Sequence, residues 1–358
     1  MTYDVAVVGA GAMGSAAARA LAAAGREVVV LEQYELGHVR GGSHGGTRLF
    51  RPAADRPEVA RLTEQTRGLW RALEEECGET LFEVTGGIDH GVDDAAVETF
   101  RALHPSGEVL APEEAAERWP GMRFETPVLY QPESGRLYAD RTVSALQRVA
   151  AAEFRELSPV KALRIHGGLV ELDVPGGAVQ ARQVVVTAGA WAPKLLTGLV
   201  SLPPFRVTQE QPRFFEPVSD GLDWPSFVHG RKGSYGLFEP GSGVKVGLHG
   251  TGPETDPDTR DFAVEPESDA KLLRYVEEWF PGLDASRSTP ISCLYDNTPK
   301  DNFVIDRVGP ITVAAGFCGQ GFKFVPLIGE YVRDLVVGEA AVPSRFRLSS
   351  HAEISDVH

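Results

Sequence analysis

The N-terminal residues alternate between apolar runs and an alanine-rich stretch. Residues 3–9 form a short apolar run that is typical of a buried strand, and residues 27–32 form a second one. Between them, residues 13–24 are rich in alanine and are followed by Gly25, a residue type that commonly ends helices. The pattern predicts a strand–helix–strand unit at the start of the chain.

Helical periodicity recurs further along the chain. In residues 57–77, Val59 and a series of leucines fall largely on one helical face, and Pro57 suits the first turn. The apolar spacing predicts further helices over residues 112–119, 140–154, 266–280 and about 326–337. The last of these follows a strand-like run and a glycine-rich turn, which repeats the order found at the N-terminus.

Residues 81–139 and 205–290 have a different pattern, in which short strand-like runs are separated by proline and glycine. These two blocks interrupt the segments that alternate between strands and helices. Interruptions of this kind predict a discontinuous α/β domain with a second, more β-rich domain threaded through it.

Composition narrows the possible function classes. The 358 residues carry a net charge of −15, so the surface repels nucleic acid and anionic membranes. Apolar content of 42% and charged content of 24% are typical of a soluble globular protein. Cys77, Cys293 and Cys318 are odd in number and widely spaced, which argues against a disulfide framework. We therefore expect a cytoplasmic protein with no nucleic-acid or membrane partner.

Three glycines stand between the first predicted strand and the first predicted helix. Gly9, Gly11 and Gly14 allow a tight turn, close approach of a pyrophosphate to the backbone, and close packing of the helix on the strand. The N-terminus of that helix offers amide donors and partial positive charge to phosphates. Glu32 ends the second strand, where an acid can accept hydrogen bonds from ribose hydroxyls. The unit predicts a dinucleotide site and favours FAD or NAD over NADP.

Motifs further along the chain distinguish between these two cofactors. Glycine-rich turns recur in residues 184–191 and 312–324. The chain carries, in order, "GAGAMG", "GSHGGTRLFR", "RWPG", "AGAW", "KVGLH", "CLY" followed by "TP", and "AAGFCGQGFKF". In these motifs it resembles FAD-dependent amine oxidases of the D-amino-acid oxidase superfamily, and within it the group of monomeric sarcosine oxidase and N-methyltryptophan oxidase. The resemblance covers nearly the whole chain.

The resemblance implies both a fold and an activity. The fold would be α/β, with a Rossmann-like FAD-binding domain built from residues 1–80, 140–204 and 291–358. Residues 81–139 and 205–290 would form an inserted α+β substrate domain on a mainly antiparallel β-sheet. The enzyme would be a monomer without a metal that oxidises a secondary amino acid, N-methylated or cyclic, to an imine. Dioxygen would then be reduced to hydrogen peroxide.

The resemblance also implies which residues contact FAD. The matched positions are Gly9, Gly11, Met13, Gly14, Glu32, Gln33, Ser43, His44, Thr47, Arg48, Val160, Ala188, Gly189, Trp191, Cys293, Gly316, Gly319, Gly321, Phe322 and Lys323. Among them, His44, Thr47 and Arg48 would lie against the flavin ring. A fixed cation such as Arg48 favours the electron-rich reduced flavin.

A smaller set is matched to the substrate. Arg51 and Lys323 would clamp a substrate carboxylate, the first as a planar bidentate partner and the second as a point charge. Tyr235 would form part of the aromatic wall around the substrate. A cationic clamp would also help to lower the pKa of the substrate amine, since like charges disfavour the protonated form.

The candidate catalytic residues lie mainly in the second half of the chain. Lys245 and His249 are four residues apart, so in a strand both side chains would point to one face. The resemblance places Lys245 beside the position where dioxygen reacts. With Arg48 and Tyr295, these two residues make up the predicted catalytic set, and none of the four is a convincing strong base.

The chemistry of a cysteine does not by itself assign a role to Cys293. A lone cysteine is most often a small buried hydrophobe. Cys293, however, stands two residues before Tyr295, where members of this group tie the flavin ring to the protein through a thioether at its 8-methyl group. The resemblance therefore implies covalent FAD at Cys293 and leaves Cys77 and Cys318 as ordinary thiols.

Two other functions remain open at this stage. One is a biosynthetic oxidase or dehydrogenase that acts on a cyclic imino acid or on a larger amine, including a carrier-bound one. Peroxide formed under air distinguishes the oxidase from the dehydrogenase. The other is a non-catalytic flavin-binding subunit, against which Arg48, Lys245 and Lys323 argue, because a silent subunit would not need these cations.

Overall fold

The computed structural model describes residues 2–52, 57–230, 233–339 and 342–352. The helices in this part of the chain are α1 (Ala12–Ala23), α2 (Pro57–Cys77), α3 (Asp94–Leu103), α4 (Pro112–Arg118), α5 (Ala139–Val149), α6 (Ala192–Leu196), α7 (Pro266–Trp279), α8 (Val325–Val337) and α9 (Ser349–Ala352). Short 3₁₀ turns occupy Gly189–Trp191, Pro299–Asp301, Phe322–Phe324 and Ser344–Phe346.

The strands fall into two large sheets and two small ones. In chain order they are β1 (Thr2–Val8), β2 (Val28–Leu31), β3 (Thr47–Phe50), β4 (Phe82–Val84), β5 (Gly87–His90), β6 (Glu108–Leu110), β7 (Val128–Gln131), β8 (Gly135–Tyr138), β9 (Glu153–Arg155), β10 (Ala162–His166), β11 (Leu169–Val174), β12 (Gly177–Val186), β13 (Arg206–Glu210), β14 (Arg213–Pro217), β15 (Ser226–His229), β16 (Ser234–Glu239), β17 (Gly243–Leu248), β18 (Leu283–Pro290), β19 (Cys293–Asn297), β20 (Val304–Val308) and β21 (Ile311–Ala315).

A sheet with a parallel centre contains the N-terminal unit. Strand β1 pairs in parallel with β2 on one side and with β12 on the other, and β9 and β21 extend this parallel pairing outward. Strands β10, β11 and β20 add antiparallel pairs. All four residues of β2 are buried, as expected for a strand that is covered on both faces. The predicted Rossmann-like α/β arrangement is confirmed.

Helices cover both faces of this sheet. On one face α1 packs against α8, where Leu21 and Val332 are fully buried in a common core. On the other face α6 contributes Ala192 and Leu196 to a second core. The alanine-rich sequence of α1 has a packing reason, because small side chains allow α8 to approach closely.

The second large sheet has the order β18-β14-β17-β16-β15-β5-β7-β6. The pairing of β15 with β5 is parallel, and the other pairings in this sheet are antiparallel. Helix α7 covers one face through Leu272 and Val276. The predicted mainly antiparallel sheet is thus confirmed, while the domain bounds given above remain a prediction.

Two small sheets join the large ones. In one, β13 pairs with β19, which brings Glu210 opposite Cys293. In the other, β8 lies between β3 and β4. Helix α2 is tied to the C-terminal glycine-rich turn, because the indole N–H of Trp70 donates to the carbonyl of Lys323 at 2.8 Å. These contacts bring residues from distant parts of the sequence to one region.

The predicted helix over residues 140–154 is wrong at its C-terminal end. Helix α5 ends at Val149, and residues 153–155 form β9, which pairs in parallel with β2. The alanines of this segment favour a helix locally, but the edge of β2 offers backbone hydrogen bonds that a continued helix would leave unpaired. Tertiary pairing therefore overrides local propensity here.

Candidate active site

A cavity of about 1170 Å³ is lined by residues from both large sheets and from the turns that connect them. The predicted residues that line it are Gly9, Gly11, Met13, Glu32, Gln33, Ser43, His44, Thr47, Arg48, Arg51, Val160, Ala188, Gly189, Trp191, Tyr235, Lys245, His249, Cys293, Tyr295, Gly319, Gly321, Phe322 and Lys323. Gly14 and Gly316, also predicted as cofactor contacts, do not line it. In the described part of the chain, no cluster of His, Cys, Asp or Glu side chains suits a metal ion.

The first glycine motif forms the turn between β1 and α1. Gly9 has a φ of +100°, and a Cβ there would lie 2.8 Å from the carbonyl oxygen of Thr187. A Cβ at Gly14 would overlap the carbonyl oxygen of Gly9, so this third glycine lets α1 pack directly on the end of β1. Ser43 accepts a hydrogen bond from the amide of Ala12 at 3.0 Å and thereby caps the start of α1.

Glu32 lies at the end of β2 and is held by backbone amides. Its carboxylate accepts hydrogen bonds from the amides of Ala10 at 2.8 Å and Tyr34 at 3.1 Å, and its Oε1 lies 3.3 Å from Nε2 of His38. Burial raises the pKa of Glu32, but these hydrogen bonds outweigh burial and leave it below its ordinary value. The group is therefore an ionised acceptor beside the turn of α1, as ribose hydroxyls require.

His44 and Arg48 lie on the segment that leads into β3 and along it. The guanidinium of Arg48 donates to the carbonyls of Gly42, His44 and Thr47 at 2.6–3.0 Å. Burial, together with the charge of Arg48, lowers the pKa of His44 to about 4, so its ring is neutral near pH 7. Among the described residues, buried Nε2 of His44 has no hydrogen-bond partner. A buried polar atom of this kind in a cavity wall indicates a place for a ligand group.

Lys245 projects from β17 into the cavity wall and is only 4% exposed. Its ammonium donates to the carbonyl of Thr47 at 2.5 Å and lies 3.9 Å from Oε2 of Glu239. Burial and the charge of Arg48 lower the pKa of Lys245 to about 7. The side chain is thus a buried amine poised between its charged and neutral forms.

Arg51 and Lys323 both line the cavity, although the structure gives each a partner within the protein. NH1 of Arg51 lies 2.5 Å from Oδ1 of Asp89 on β5. The ammonium of Lys323 donates to the carbonyl of Arg51 at 3.2 Å. The ammonium of Lys323 therefore lies beside the backbone of Arg51, and Asp89 partly neutralises the Arg51 guanidinium.

Tyr235 and Tyr295 contribute aromatic surface to the cavity. Burial raises the pKa of both hydroxyls. The neighbouring Tyr235 raises the pKa of Tyr295 further, whereas the hydrogen bond with Tyr295 acts to lower that of Tyr235. The ring of His249 lies 5.4 Å from that of Tyr295 and 6.5 Å from that of Tyr235, measured between centroids. A Cβ at Gly319, whose φ is +67°, would overlap the ring of Tyr295, so the C-terminal glycine turn packs directly on this tyrosine.

Cys293 begins β19 and lines the cavity as a free thiol. Burial raises its pKa, while the positive charges of Arg48, Lys245 and Arg260 act in the opposite direction. Cys293 is thus a protonated thiol in a cavity wall that carries several cations.

Three acidic residues at the site were missed by sequence reasoning. Asp89 pairs with Arg51, and Glu239 accepts a hydrogen bond from the hydroxyl of Thr47 at 2.6 Å. Asp296 accepts from the amides of Gly316 at 2.8 Å and Phe317 at 3.1 Å, and burial raises its pKa to about 6. Each lies within a strand among apolar neighbours, and a buried acid in such a strand is a signal for a paired or functional group.

Asp296 explains why Gly316 does not line the cavity. Its carboxylate ties β19 to the turn after β21 through two backbone amides, and the amide of Gln320 bonds to the carbonyl of Phe317 within that turn. Gly316, with a φ of +71°, therefore shapes the turn, while Gly319 and Gly321 reach the cavity.

Comparison with known proteins identifies the family to which this chain belongs. Residues 4–335 match the sequence family DAO, described as FAD dependent oxidoreductase. The chain belongs to this family. It is 32% identical to the monomeric sarcosine oxidase of Bacillus sp. strain NS-129, over 93% of this chain and 92% of that one. It is 28% identical to the N-methyl-L-tryptophan oxidase of Yersinia pestis strain Pestoides F, over 92% and 94% of the two chains.

Solved structures of related proteins share the fold of this chain. NikD, described as an unusual amino acid oxidase essential for nikkomycin biosynthesis, superimposes with a TM-score of 0.85, 25% identity and 97% coverage of each chain. The similarity to the sarcosine oxidase group, which the sequence motifs indicate, is confirmed over nearly the whole chain by the identity to monomeric sarcosine oxidase.

The residues around the cavity fit FAD, the cofactor of this family. Gly11, Ala12 and Met13 line the cavity at the start of α1, and Glu32 presents an ionised carboxylate at the end of β2. The buried Nε2 of His44 lacks a partner in the described residues. These observations suit a pyrophosphate, a ribose and a polar ring edge, respectively.

In the part of the chain that the structure describes, no helix has the length and apolar character to cross a membrane.

Proposed function

We propose that this protein is an FAD-dependent oxidase of secondary amino acids, N-methylated or cyclic, that forms an imine and hydrogen peroxide. The observation that carries the proposal is one cavity that is lined both by the FAD-type glycine turn and by Arg51, Lys323 and buried Lys245. The similarity to enzymes named for the oxidation of sarcosine and of N-methyl-L-tryptophan supports this substrate class.

The cations give the cavity its chemistry. FAD, when bound, accepts the two electrons of the amine and passes them to dioxygen. Arg51 and Lys323 hold the substrate carboxylate, and their charge favours the neutral form of the amine, which is the form that can be oxidised. Lys245 lies on β17 and offers a buried ammonium that offsets the negative charge that develops on dioxygen.

The aromatic residues and Cys293 complete the site. Tyr235, Tyr295 and the ring of His249 exclude water from the reacting carbon. The thiol of Cys293 would hold FAD as a thioether at its 8-methyl group. The S–H bond and one C–H bond of that methyl group would be lost, and dioxygen would accept the two electrons. The free thiols of the chain suit a reducing compartment, and we infer a cytoplasmic monomer.

A second candidate function follows from the likeness to NikD, an amino acid oxidase of a biosynthetic pathway. In that case the substrate would be a cyclic imino acid or a larger amine rather than sarcosine. The large cavity and Val228, a short side chain in its wall, would accommodate such a substrate.

A peroxide-release screen under air tests both functions. Sarcosine, N-methyltryptophan, proline, pipecolate and a fructosyl amino acid represent the main substrate classes. Peroxide from an N-methyl or a cyclic amino acid supports the first function, and peroxide from the fructosyl amino acid alone supports the larger amine of the second. Reduction of the flavin under nitrogen without peroxide under air would contradict the assignment as an oxidase.

A further inference from the structure

Lys245 shares its buried environment with a carboxylate to which the proposed function assigns no role. Its Nζ lies 3.9 Å from Oε2 of Glu239, whose residue is 9% exposed. Thr47 joins the two side chains. The ammonium of Lys245 donates to the Thr47 carbonyl at 2.5 Å, and the Thr47 hydroxyl donates to Oε2 of Glu239 at 2.6 Å. The three residues form a connected, buried cluster.

The hairpin of β16 and β17 places Glu239 and Lys245 on one face. Leu237 lies opposite Lys245 in the antiparallel register, and Glu239 is two residues further along β16, so its side chain points to the same face. A diagonal pair of this kind is within reach of long side chains. A Cβ at Gly46 would overlap the carboxylate of Glu239, so this glycine provides the room that the carboxylate occupies.

Charged groups face Lys245 from several elements. Burial is the largest influence on its pKa and lowers it, as does Arg48 on β3. Glu239 on β16 and Asp140 on α5 act in the opposite direction, and the thiol of Cys293 on β19 would do so only as a thiolate. A buried ammonium without an opposite charge nearby tends to lose its proton. The carboxylate of Glu239 at 3.9 Å therefore favours the charged form of Lys245.

We propose that Glu239, together with Thr47, is a positioning residue that holds the side chain of Lys245 in place and in its charged form within the cavity. This inference rests on the proposed function, in which the Lys245 ammonium offsets negative charge on dioxygen. A neutral amine at this position would supply no such charge. Glu239 therefore extends the pH range over which dioxygen can be reduced.

The ionisation of Lys245 can be followed without turnover. A charge beside the flavin perturbs its visible absorbance, so a pH titration of the oxidised holoenzyme reports the ammonium, and the transition is assigned by its loss in Lys245→Met. Glu239→Gln keeps the shape of the side chain and removes its charge. An opposite charge within about 4–6 Å shifts a pKa by about 1–3 units, so the midpoint falls by about 1–3 pH units in this variant.

A matched control removes a carboxylate from the same sheet. Glu216 on β14 is exposed and pairs with Arg287 at the surface, so Glu216→Gln leaves the midpoint unchanged. An unchanged midpoint in Glu239→Gln overturns the proposal. If Glu239→Gln does not fold, the same pH titration is carried out on Glu239→Asp. Its carboxylate lies farther from Lys245, the midpoint falls by a smaller amount, and an unchanged or raised midpoint overturns the proposal.

Stopped-flow reoxidation of the same variants separates this inference from the proposed function. If Glu239→Gln has a lower midpoint and reoxidises more slowly at pH values above that midpoint, both this inference and the proposed function are supported. A lower midpoint with unchanged reoxidation supports Glu239 as the positioning residue of Lys245 and overturns the role of Lys245 toward dioxygen.

Discussion

Arg51 and Asp89 form an ion pair in the cavity wall, with NH1 of the arginine 2.5 Å from Oδ1 of the aspartate. Asp89 is 5% exposed, and its other carboxylate oxygen accepts a hydrogen bond from Nε2 of Gln131 at 3.4 Å. The guanidinium that the sequence predicts as a carboxylate clamp therefore has a carboxylate of the protein beside it. A substrate carboxylate must share Arg51 with Asp89 or displace it.

Replacement of Asp89 by asparagine is expected to tighten the binding of a small carboxylate. The variant keeps the shape of the side chain, removes the competing charge and leaves the full charge of Arg51 for the ligand. A hydrogen bond to a charged group contributes about 1.5–3 kcal/mol, so we expect the dissociation constant of acetate to fall about tenfold or more. Titration of flavin absorbance with acetate measures it.

Arg51→Ala is the comparison for this measurement. It is expected to weaken acetate binding by about tenfold to a hundredfold, for the same energetic reason. Weaker rather than tighter binding in Asp89→Asn would show that Asp89 orients the guanidinium instead of competing for it.

Cys293→Ser is expected to convert bound FAD from a covalent to a dissociable cofactor. The wild-type protein should stay yellow after acid precipitation, whereas the serine variant should release its flavin into the supernatant. Cys318→Ser is the control, because that thiol is buried against Thr298 rather than in the cavity wall. A colourless wild-type pellet would leave Cys293 as a buried thiol.

Lys245→Met is expected to slow reoxidation under air while anaerobic reduction by substrate changes little. Loss of one preorganised charge costs about a hundredfold to a thousandfold in rate. An amine carries its charge below its pKa, and that of Lys245 is about 7. Wild-type reoxidation should therefore slow as the pH rises through this value, and the methionine variant should lack this dependence. Collapse of reduction with normal reoxidation would move Lys245 to the substrate side.

Gly14→Ala is expected to destabilise the protein. A Cβ at this position would overlap the carbonyl oxygen of Gly9, and this backbone atom cannot move without displacing α1. Overpacking of this kind costs about 1–3 kcal/mol, which a lower melting temperature would report.

Gly68→Ala is the matched control for Gly14→Ala. Gly68 is exposed within α2, and a Cβ there would meet no atom within 4 Å. Alanine in a helix interior is favoured over glycine by about 0.5–1 kcal/mol, so this variant should be slightly more stable than the wild type. Equal stability of Gly14→Ala and the wild type would show that α1 has room for a side chain.

Local pattern was sufficient for much of the fold. The helix predicted over residues 57–77 is confirmed as α2, and the unit of β1, α1 and β2 follows from an apolar period and from glycines whose roles depend on their own turn. The end of α5 was not predictable in this way, because its boundary depends on the pairing of β9 with β2. A strand edge from a distant segment is not visible in the local sequence.

The sequence by itself indicated the glycine turns and the acid at Glu32, because each has its own chemical reason, and it indicated the cations of the candidate site through motifs that resemble a known family. Only the tertiary structure decided which carboxylates stand beside those cations. Asp89 reaches Arg51 from β5, and Glu239 reaches Lys245 through Thr47 on β3. The protonation of Lys245 depends on such partners, because burial makes an ionisable group sensitive to every charge within a few ångströms, whatever its distance along the chain.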